Sequence, residues 1–259
     1  MIDQLFSMKG KVCVITGGSR GLGFYMARGF FGAGAKRIYI TARKAEACNA
    51  AAEELSQYGE CIALPGDISS MDEIQRLVDT LTEREDSIDV LVNNAGTAWL
   101  APLDQFPEQG WDKVMNLNVK TPFFLTKALT PLLSKGATAD NNACVINIGS
   151  ISGILGATDT FSYAPSKAAI HQVTRNLAVA LAGQYIRVNA IAPGRFFTEM
   201  TEYARQDTAQ YEAEIGYIPL HRWGEDTDIS GVAIMLASPA GAFITGQIIP
   251  VDGGTTLVR

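Results

Sequence analysis

Short unbroken apolar runs alternate along the chain with longer segments whose apolar positions recur every three or four residues. The first kind of segment predicts strands buried on both sides, the second amphipathic helices. Strands are expected over Lys11–Thr16, Arg37–Thr41, Glu60–Leu64, Ile88–Val92, Ala143–Ile148, Ile186–Ile191 and Gln247–Val251. Helices are expected over Gly21–Ala33, Ala45–Tyr58, Met71–Glu83, Trp111–Ser134, Ser162–Ala182 and Asp226–Ala237, with Pro122 marking a point of irregularity in the long one. Strand–helix repetition with short links predicts right-handed βαβ units, and hence an α/β, doubly wound parallel sheet with helices on both faces. No linker divides the chain, so residues 1–259 read as one domain. The stretch from Arg195 to Arg222 breaks the alternation. It is long and mixed and carries Phe196, Phe197, Tyr203, Tyr211 and Tyr217, as a loop that covers a ligand would.

Composition narrows the class. With 47% hydrophobic residues, 259 residues suffice for a large core. A net charge of −6 argues against nucleic acid or an anionic membrane as the main partner. No apolar run approaches the roughly 20 residues that span a bilayer. The segment Met1-Ile2-Asp3-Gln4-Leu5-Phe6 lacks the pattern of a secretory signal, which makes the cytoplasm the expected location. Cys13, Cys48, Cys61 and Cys144 form no CxxC pair and read as reduced thiols. His171 and His221 stand far apart with no ligand cluster beside either, so no metal site is expected.

The first strand runs into Thr16-Gly17-Gly18-Ser19-Arg20-Gly21-Leu22-Gly23. A glycine-rich turn between a strand and a helix lets the backbone approach a pyrophosphate, with the helix N–H groups aimed at it. An acid at the end of the second strand would hold the ribose hydroxyls of NAD. Here the residues are Thr41-Ala42-Arg43-Lys44. A carboxylate repels a 2′-phosphate and a guanidinium binds it, so Arg43, with Arg20 as a second cation, favours NADP(H), while NAD(H) stays possible.

Tyr163 and Lys167 are four residues apart at a helix start, on one face, with Pro165 between them in the first turn, where its missing N–H is tolerated. An ammonium beside a phenol lowers the phenol's pKa toward working pH and suits it to protonate a carbonyl oxygen. By itself the spacing is a poor signal and is usually an accidental surface pair.

The glycine turn, Asn93-Asn94-Ala95-Gly96 after the fourth strand, Ser150 after the fifth, Tyr163 with Lys167 at a helix start, and Pro193-Gly194 after the sixth strand follow one another in this order. Together they resemble the short-chain dehydrogenase/reductase family in its single-domain, Rossmann-type form, over nearly the whole chain. The resemblance implies that Ser150 hydrogen-bonds the substrate oxygen, that Asn118 holds a relay water near the lysine, and that Lys167 also binds the nicotinamide ribose. It implies that Gly17, Ser19, Arg20, Gly21, Leu22 and Gly23 form the phosphate turn, that Asp67 and Ile68 contact adenine, and that Asn94, Ala95 and Gly96 line the cofactor. Pro193, Gly194 and Thr198 then lie beside the nicotinamide, and Asp252-Gly253-Gly254 form the C-terminal turn. Asn116 reads as helix surface.

The segments Gly96–Trp99, Trp111–Met115, Ala192–Phe196 and Ile218–Gly224 are similar to the branch of 3-oxoacyl-(acyl-carrier-protein) reductases associated with rhamnolipid synthesis. This implies a 3-oxoacyl or other hydrophobic ketone as substrate. A polyol, sugar or steroid dehydrogenase working oxidatively remains open, as does a non-catalytic nucleotide-binding sensor. The aromatic residues of the 195–222 loop either line an apolar pocket or pack the loop itself. The family implies a homotetramer built on the long helices, with Ala168, Ala169, Ala178 and Ala182 allowing close packing.

Overall fold

The computed structural model describes residues 1–156, 159–198, 201 and 208–258. Seven strands form one parallel sheet: β1 Val12–Thr16, β2 Arg37–Thr41, β3 Glu60–Ala63, β4 Val90–Asn93, β5 Ala143–Ile148, β6 Ile186–Pro193 and β7 Ile248–Val251. Their order is β3-β2-β1-β4-β5-β6-β7. The direction of winding reverses between β1 and β4, and ligands bind at the carboxyl ends of the strands beside such a switch point.

Alternate residues of each strand serve opposite faces. Cys13 and Ile15 pack with Phe30, Cys48 and Ala233 from the helices α2 (Gly21–Gly32), α3 (Ala45–Leu55) and α9 (Asp226–Ala237). Val12 and Val14 pack with Leu77, Leu129 and Leu177 from α4 (Met71–Arg84), α6 (Thr121–Lys135) and α7 (Tyr163–Leu181). Because both faces are covered, β1, β4, β5 and β6 are buried at every residue. This is why the strands read as apolar runs without polar alternation. Short helices α1 (Ile2–Leu5), α8 (Thr208–Ile215) and α10 (Thr255–Val258) complete the described chain.

Several expected boundaries move by a residue or more, and three of these moves have a clear physical reason. The fourth strand begins at Val90, not Ile88, because Asp89 turns its carboxylate to the Val12 N–H at 2.9 Å and to Lys11 Nζ at 3.2 Å. The helix expected over Ala45–Tyr58 stops at Leu55, and the carbonyls of its last turn accept from Ser56, Gln57 and Tyr58. The long helix expected over Trp111–Ser134 is α5 (Glu108–Met115), a π turn over Asn116–Lys120, and α6. Pro122 follows the π turn and has no N–H to return to the carbonyl of Asn118 four residues back. Among its described residues, the 195–222 loop holds one α-helix that the sequence did not signal, α8; Tyr203 lies outside the described residues.

Candidate active site

The glycine turn follows β1, and the register Thr16↔Thr41 sets it beside the end of β2. Gly17 has φ +65°, in the left-handed region that favours glycine. A side chain there would also meet Ala95 Cα and Asn94 Nδ2, both 3.0 Å from its Cβ. Asn94 Nδ2 donates to the carbonyls of Thr16 and Gly17, each at 2.9 Å, and Thr16 Oγ1 accepts from the N–H groups of Asn94 and Ala95, each at 3.0 Å. Asn94 and Ala95 therefore fix the turn from β4. Arg20 caps α2 and is exposed, with Ser19 and Leu22 half-buried beside it and Gly23 buried beneath. Arg43 is exposed past the end of β2, and no acid lies between Thr41 and Lys44. Asp67 accepts from the N–H and hydroxyl of Ser69 and closes the turn that carries the buried Ile68. A Cβ at Gly21 would stand 3.4 Å from Thr198 Cγ2, so the chain past β6 faces the start of α2 across the carboxyl edge of the sheet.

The second group gathers at the ends of β4, β5 and β6. Ser150 follows β5 and is buried, its hydroxyl accepting from Ser152 N at 3.1 Å. Tyr163 opens α7, and its phenol is influenced by the Ser150 hydroxyl. Lys167, one turn on, is buried and donates to Ile148 O at 2.8 Å, with Nζ 5.5 Å from the centre of the Tyr163 ring. A Cβ at Gly96 would stand 3.3 Å from Asn118 Oδ1 and 3.6 Å from Lys167 Nζ, so Gly96, Asn118 and Lys167 share one small space. Asn118 is fixed on three sides: Oδ1 accepts from Thr97 N at 2.9 Å, and Nδ2 donates to Thr97 O at 2.9 Å and Ser166 Oγ at 3.0 Å. Ser166 donates in turn to Tyr163 O at 2.7 Å. Gly194, after β6, donates to Val251 O at 2.9 Å, and a Cβ there would meet Asp252 Cα at 2.8 Å.

The electrostatics differ from the expectation at one point. Burial raises the Tyr163 phenol above its ordinary value; the hydrogen bond to Ser150 and the charge of Arg195 act the other way without prevailing. The group is thus held as a phenol, the form that can donate a proton. Burial also pushes Lys167 down to about 8. His171, one turn beyond Lys167, is lowered to about 4 by burial, then by the charges of Lys167 and Arg175.

Several participants escaped sequence reasoning. Asn93 Nδ2 donates to Asn147 Oδ1 at 2.8 Å, and Asn147 Nδ2 to Thr174 Oγ1 at 2.9 Å, a buried polar ladder joining β4 and β5 to α7 beneath the site. A polar residue inside an apolar strand was the available signal. Ser166, His171 and Arg195 carried no spacing signal. Asn116, expected on the helix surface, is half-buried, and its Nδ2 donates to Ser69 O at 3.1 Å. Phe197, Tyr211 and Trp223 pack on one another, with ring centres 5.1–6.0 Å apart, and Phe196 is buried. These rings pack the loop, whereas Tyr217 is exposed. Among the described residues, no cluster of three metal-ligating side chains occurs and no helix is long and apolar enough to cross a membrane.

A glycine turn at the switch point of a parallel sheet, with serine, tyrosine and lysine converging across it, defines an oxidoreductase of the short-chain dehydrogenase/reductase class. The family profile described as enoyl-(acyl carrier protein) reductase matches residues 17–256, and the chain belongs to this short-chain dehydrogenase/reductase family. The chain is 48% identical, over 96% of its length and 97% of the relative's, to the rhamnolipids biosynthesis 3-oxoacyl-[acyl-carrier-protein] reductase of Pseudomonas aeruginosa. It is 38% identical, over 98% of both chains, to the 5-keto-D-gluconate 5-reductase of Escherichia coli. Among solved structures, the Pseudomonas aeruginosa RhlG/NADP active-site complex superposes with a TM-score of 0.95 at 47% identity, covering 98% of this chain and 99% of the other. A gluconate 5-dehydrogenase from Burkholderia cenocepacia in complex with NADP and tartrate superposes at 0.91 with 31% identity, covering 100% of both chains.

Proposed function

We propose that the protein is an NADP(H)-dependent carbonyl reductase whose substrate is a 3-oxoacyl compound or a similar hydrophobic ketone. The observation that carries this reading is the convergence of Ser150, Tyr163, Lys167 and Asn118 at the carboxyl edge of the sheet, opposite the glycine turn. The turn fits a dinucleotide: Gly17 has the required backbone, α2 begins at its end, and Arg20 and Arg43 supply exposed cations where a 2′-phosphate would lie. Gly17, Ser19, Arg20, Gly21, Leu22, Gly23 and Arg43 would hold the phosphates, Asp67 and Ile68 the adenine, and Asn94, Ala95, Gly96, Pro193, Gly194 and Thr198 the nicotinamide half. The bound cofactor supplies a hydride to the carbonyl carbon.

The side chains do the rest. Ser150 and Tyr163 donate hydrogen bonds to the carbonyl oxygen, on which negative charge develops. Tyr163 gives up its proton to that oxygen, and the Lys167 ammonium stabilises the phenolate left behind. Asn118, fixed by Thr97 and Ser166, keeps the proton path beside Lys167 in place.

The test is an NADPH-oxidation screen over 3-oxoacyl thioesters, cyclic ketones, steroids and keto sugar acids. Reduction of a 3-oxoacyl thioester, lost in Tyr163→Phe with NADPH binding intact, is the expected result. Near-parental turnover by Tyr163→Phe would overturn the assignment. Arg43→Asp should lower the preference for NADPH over NADH by roughly 10- to 100-fold, the worth of a charge-assisted pair; equal use of both cofactors by the parent would defeat it.

A second reading, reduction of a keto sugar acid, is supported by the 38% identity to the Escherichia coli 5-keto-D-gluconate 5-reductase. The enzyme is expected in the cytoplasm as a homotetramer. Ala168 and Ala182 are exposed on α7 and past its end, as an interface requires, while Ala178 is buried within its own chain.

A further inference from the structure

Asn116 stands where two parts of the molecule meet. After β3 the chain stays beside the end of β2, since Leu64 N donates to Ile40 O at 2.9 Å and Gly66 N to Ala42 O at 3.0 Å. The turn over residues 67–70 therefore lies near Ala42 and Arg43, where the function proposed above puts the adenosine half of the cofactor. Asp67 closes this turn: Oδ1 accepts from Ser69 N at 3.2 Å and Ser69 Oγ at 2.8 Å, and its carbonyl accepts from Ser70 N at 3.0 Å. The Ser69 carbonyl accepts from Asn116 Nδ2 at 3.1 Å, across 47 residues of sequence. On its other side Asn116 opens the π turn. Its carbonyl accepts from both the N–H and the hydroxyl of the buried Thr121, the latter at 3.0 Å. Two residues on, Asn118 is held by Thr97 and Ser166, and Ser166 Oγ donates to Tyr163 O. Hydrogen bonds and one short backbone stretch thus lead from the Asp67 turn to the opening of α7. The π turn is the element of this run with a second arrangement. In the regular helical register Thr121 N turns to Leu117 O, and Asn118 rotates with its turn.

We propose that Asn116 is a positioning residue that couples occupation of the adenosine subsite to the setting of Asn118. The proposal rests on the cofactor placement given above and deepens it by naming the link from the adenosine half to the reacting groups. A ligand against Asp67 and Ile68 orders their turn, and with it the Ser69 carbonyl. An ordered acceptor holds the Asn116 amide, and that amide holds the first residue of the π turn. Binding energy from a part of the cofactor that does not react is then used where the proton moves. The link is one neutral hydrogen bond, worth roughly fivefold in an equilibrium.

The experiment follows hydrogen exchange in the segment 111–122 with and without adenosine 2′,5′-bisphosphate, whose binding is measured by calorimetry. In the parent, saturation should slow exchange in this segment by roughly fivefold. Asn116→Leu keeps the bulk of the side chain but offers Ser69 O no donor, and Asn116→Ala removes the side chain. Both should bind the bisphosphate within about fivefold of the parent and lose the response of the segment. With NADPH and a reducible ketone, both should lower kcat by about fivefold while KM for the ketone stays within about twofold. A purely structural role for Asn116 would instead speed exchange throughout the chain and leave the response to the ligand in place. No slowing in the parent, a response that survives in Asn116→Leu, or parental kcat in both variants overturns the proposal. Absence of bisphosphate binding to the parent overturns the cofactor placement and the coupling with it. If no carbonyl is reduced, the reductase reading falls, and the exchange measurement still decides whether Asn116 couples the two sites.

Discussion

Lys167 shows how a reactive residue can work against the fold that holds it. Its amine is buried, with Ile148 O as its hydrogen-bond acceptor, and burial lowers it from 10.5 to about 8. Between those values the unfolded chain binds more protons than the folded one, so stability rises as pH climbs from 8 to 10.5 and the full penalty applies below 8. The penalty is about 3 kcal/mol, from a shift of that size. Lys167→Met should therefore abolish turnover and raise stability at pH 7 by up to about 3 kcal/mol, with the gain shrinking near pH 10.5; urea titrations at both values check it. His171 obeys the same sign at lower pH. Held at about 4 against an ordinary 6.5, it is neutral in the folded state, and stability falls as pH drops through that interval. A His171→Gln variant should lose this part of the acid sensitivity, read as a smaller difference between urea midpoints at pH 7 and pH 4.5. Residues whose chemistry depends on spacing or order, such as Tyr163 with Lys167, were legible in the sequence. His171 was not. Its role is volume: a Cβ at Gly149 would stand 2.2 Å from its Nε2 and one at Gly153 2.8 Å from its Cε1, so the imidazole sits against the two glycines that bracket Ser150.

Among the elements, the π turn between α5 and α6 does the most for the site. The Thr121 N–H reaches back five residues to Asn116 O, and Thr121 Oγ1 donates to the same oxygen at 3.0 Å. Pro122 cannot donate to Asn118 O, so the regular ladder has no hold there. The extra residue in the turn sets the direction of Asn118, and π turns gather at functional sites for this reason. Pro122→Ala restores the donor and should let the turn relax toward a regular helix. The expected result is a kcat lower by roughly 10- to 100-fold, with NADPH affinity within about twofold of the parent, since small misplacements of positioning groups have effects of that size. An unchanged kcat would show that the turn does not set Asn118. The sequence marked Pro122 as irregular but could not specify the turn, because a proline in an otherwise helical pattern is compatible with a kink, a break or a π turn. The 195–222 loop was less legible still. Aromatic residues at these positions suit a pocket wall as well as a packed lid, and only the stacking of Phe197, Tyr211 and Trp223 distinguishes the two.

At the scale of the molecule, the strand order divides the work. The glycine turn and Arg43 stand on β1 and β2, on one side of the switch point, while Ser150 and Arg195 follow β5 and β6 on the other. This division was legible early, because strands covered on both faces announce themselves as apolar runs and parallel order constrains their connections. What the chain does with its outer faces was not legible, since an exposed and a subunit-covered apolar residue look alike in a sequence. The structure leaves Val179 on α7 83% exposed and Phe123 on α6 38% exposed, with Ala168 and Ala180 also outward. Apolar and small side chains on the outer faces of two long helices suit close packing against a second copy. A charge there would be buried unpaired and is disfavoured by several kcal/mol. The parent should accordingly scatter light as an assembly of about four chains at micromolar concentration, and Val179→Glu as a smaller one with its helical circular dichroism intact. A parent mass equal to one chain would refute the assembly. A Val179→Glu tetramer would instead move the contact away from α7, to a surface such as the segment that leads into β7, where Phe243 is fully exposed.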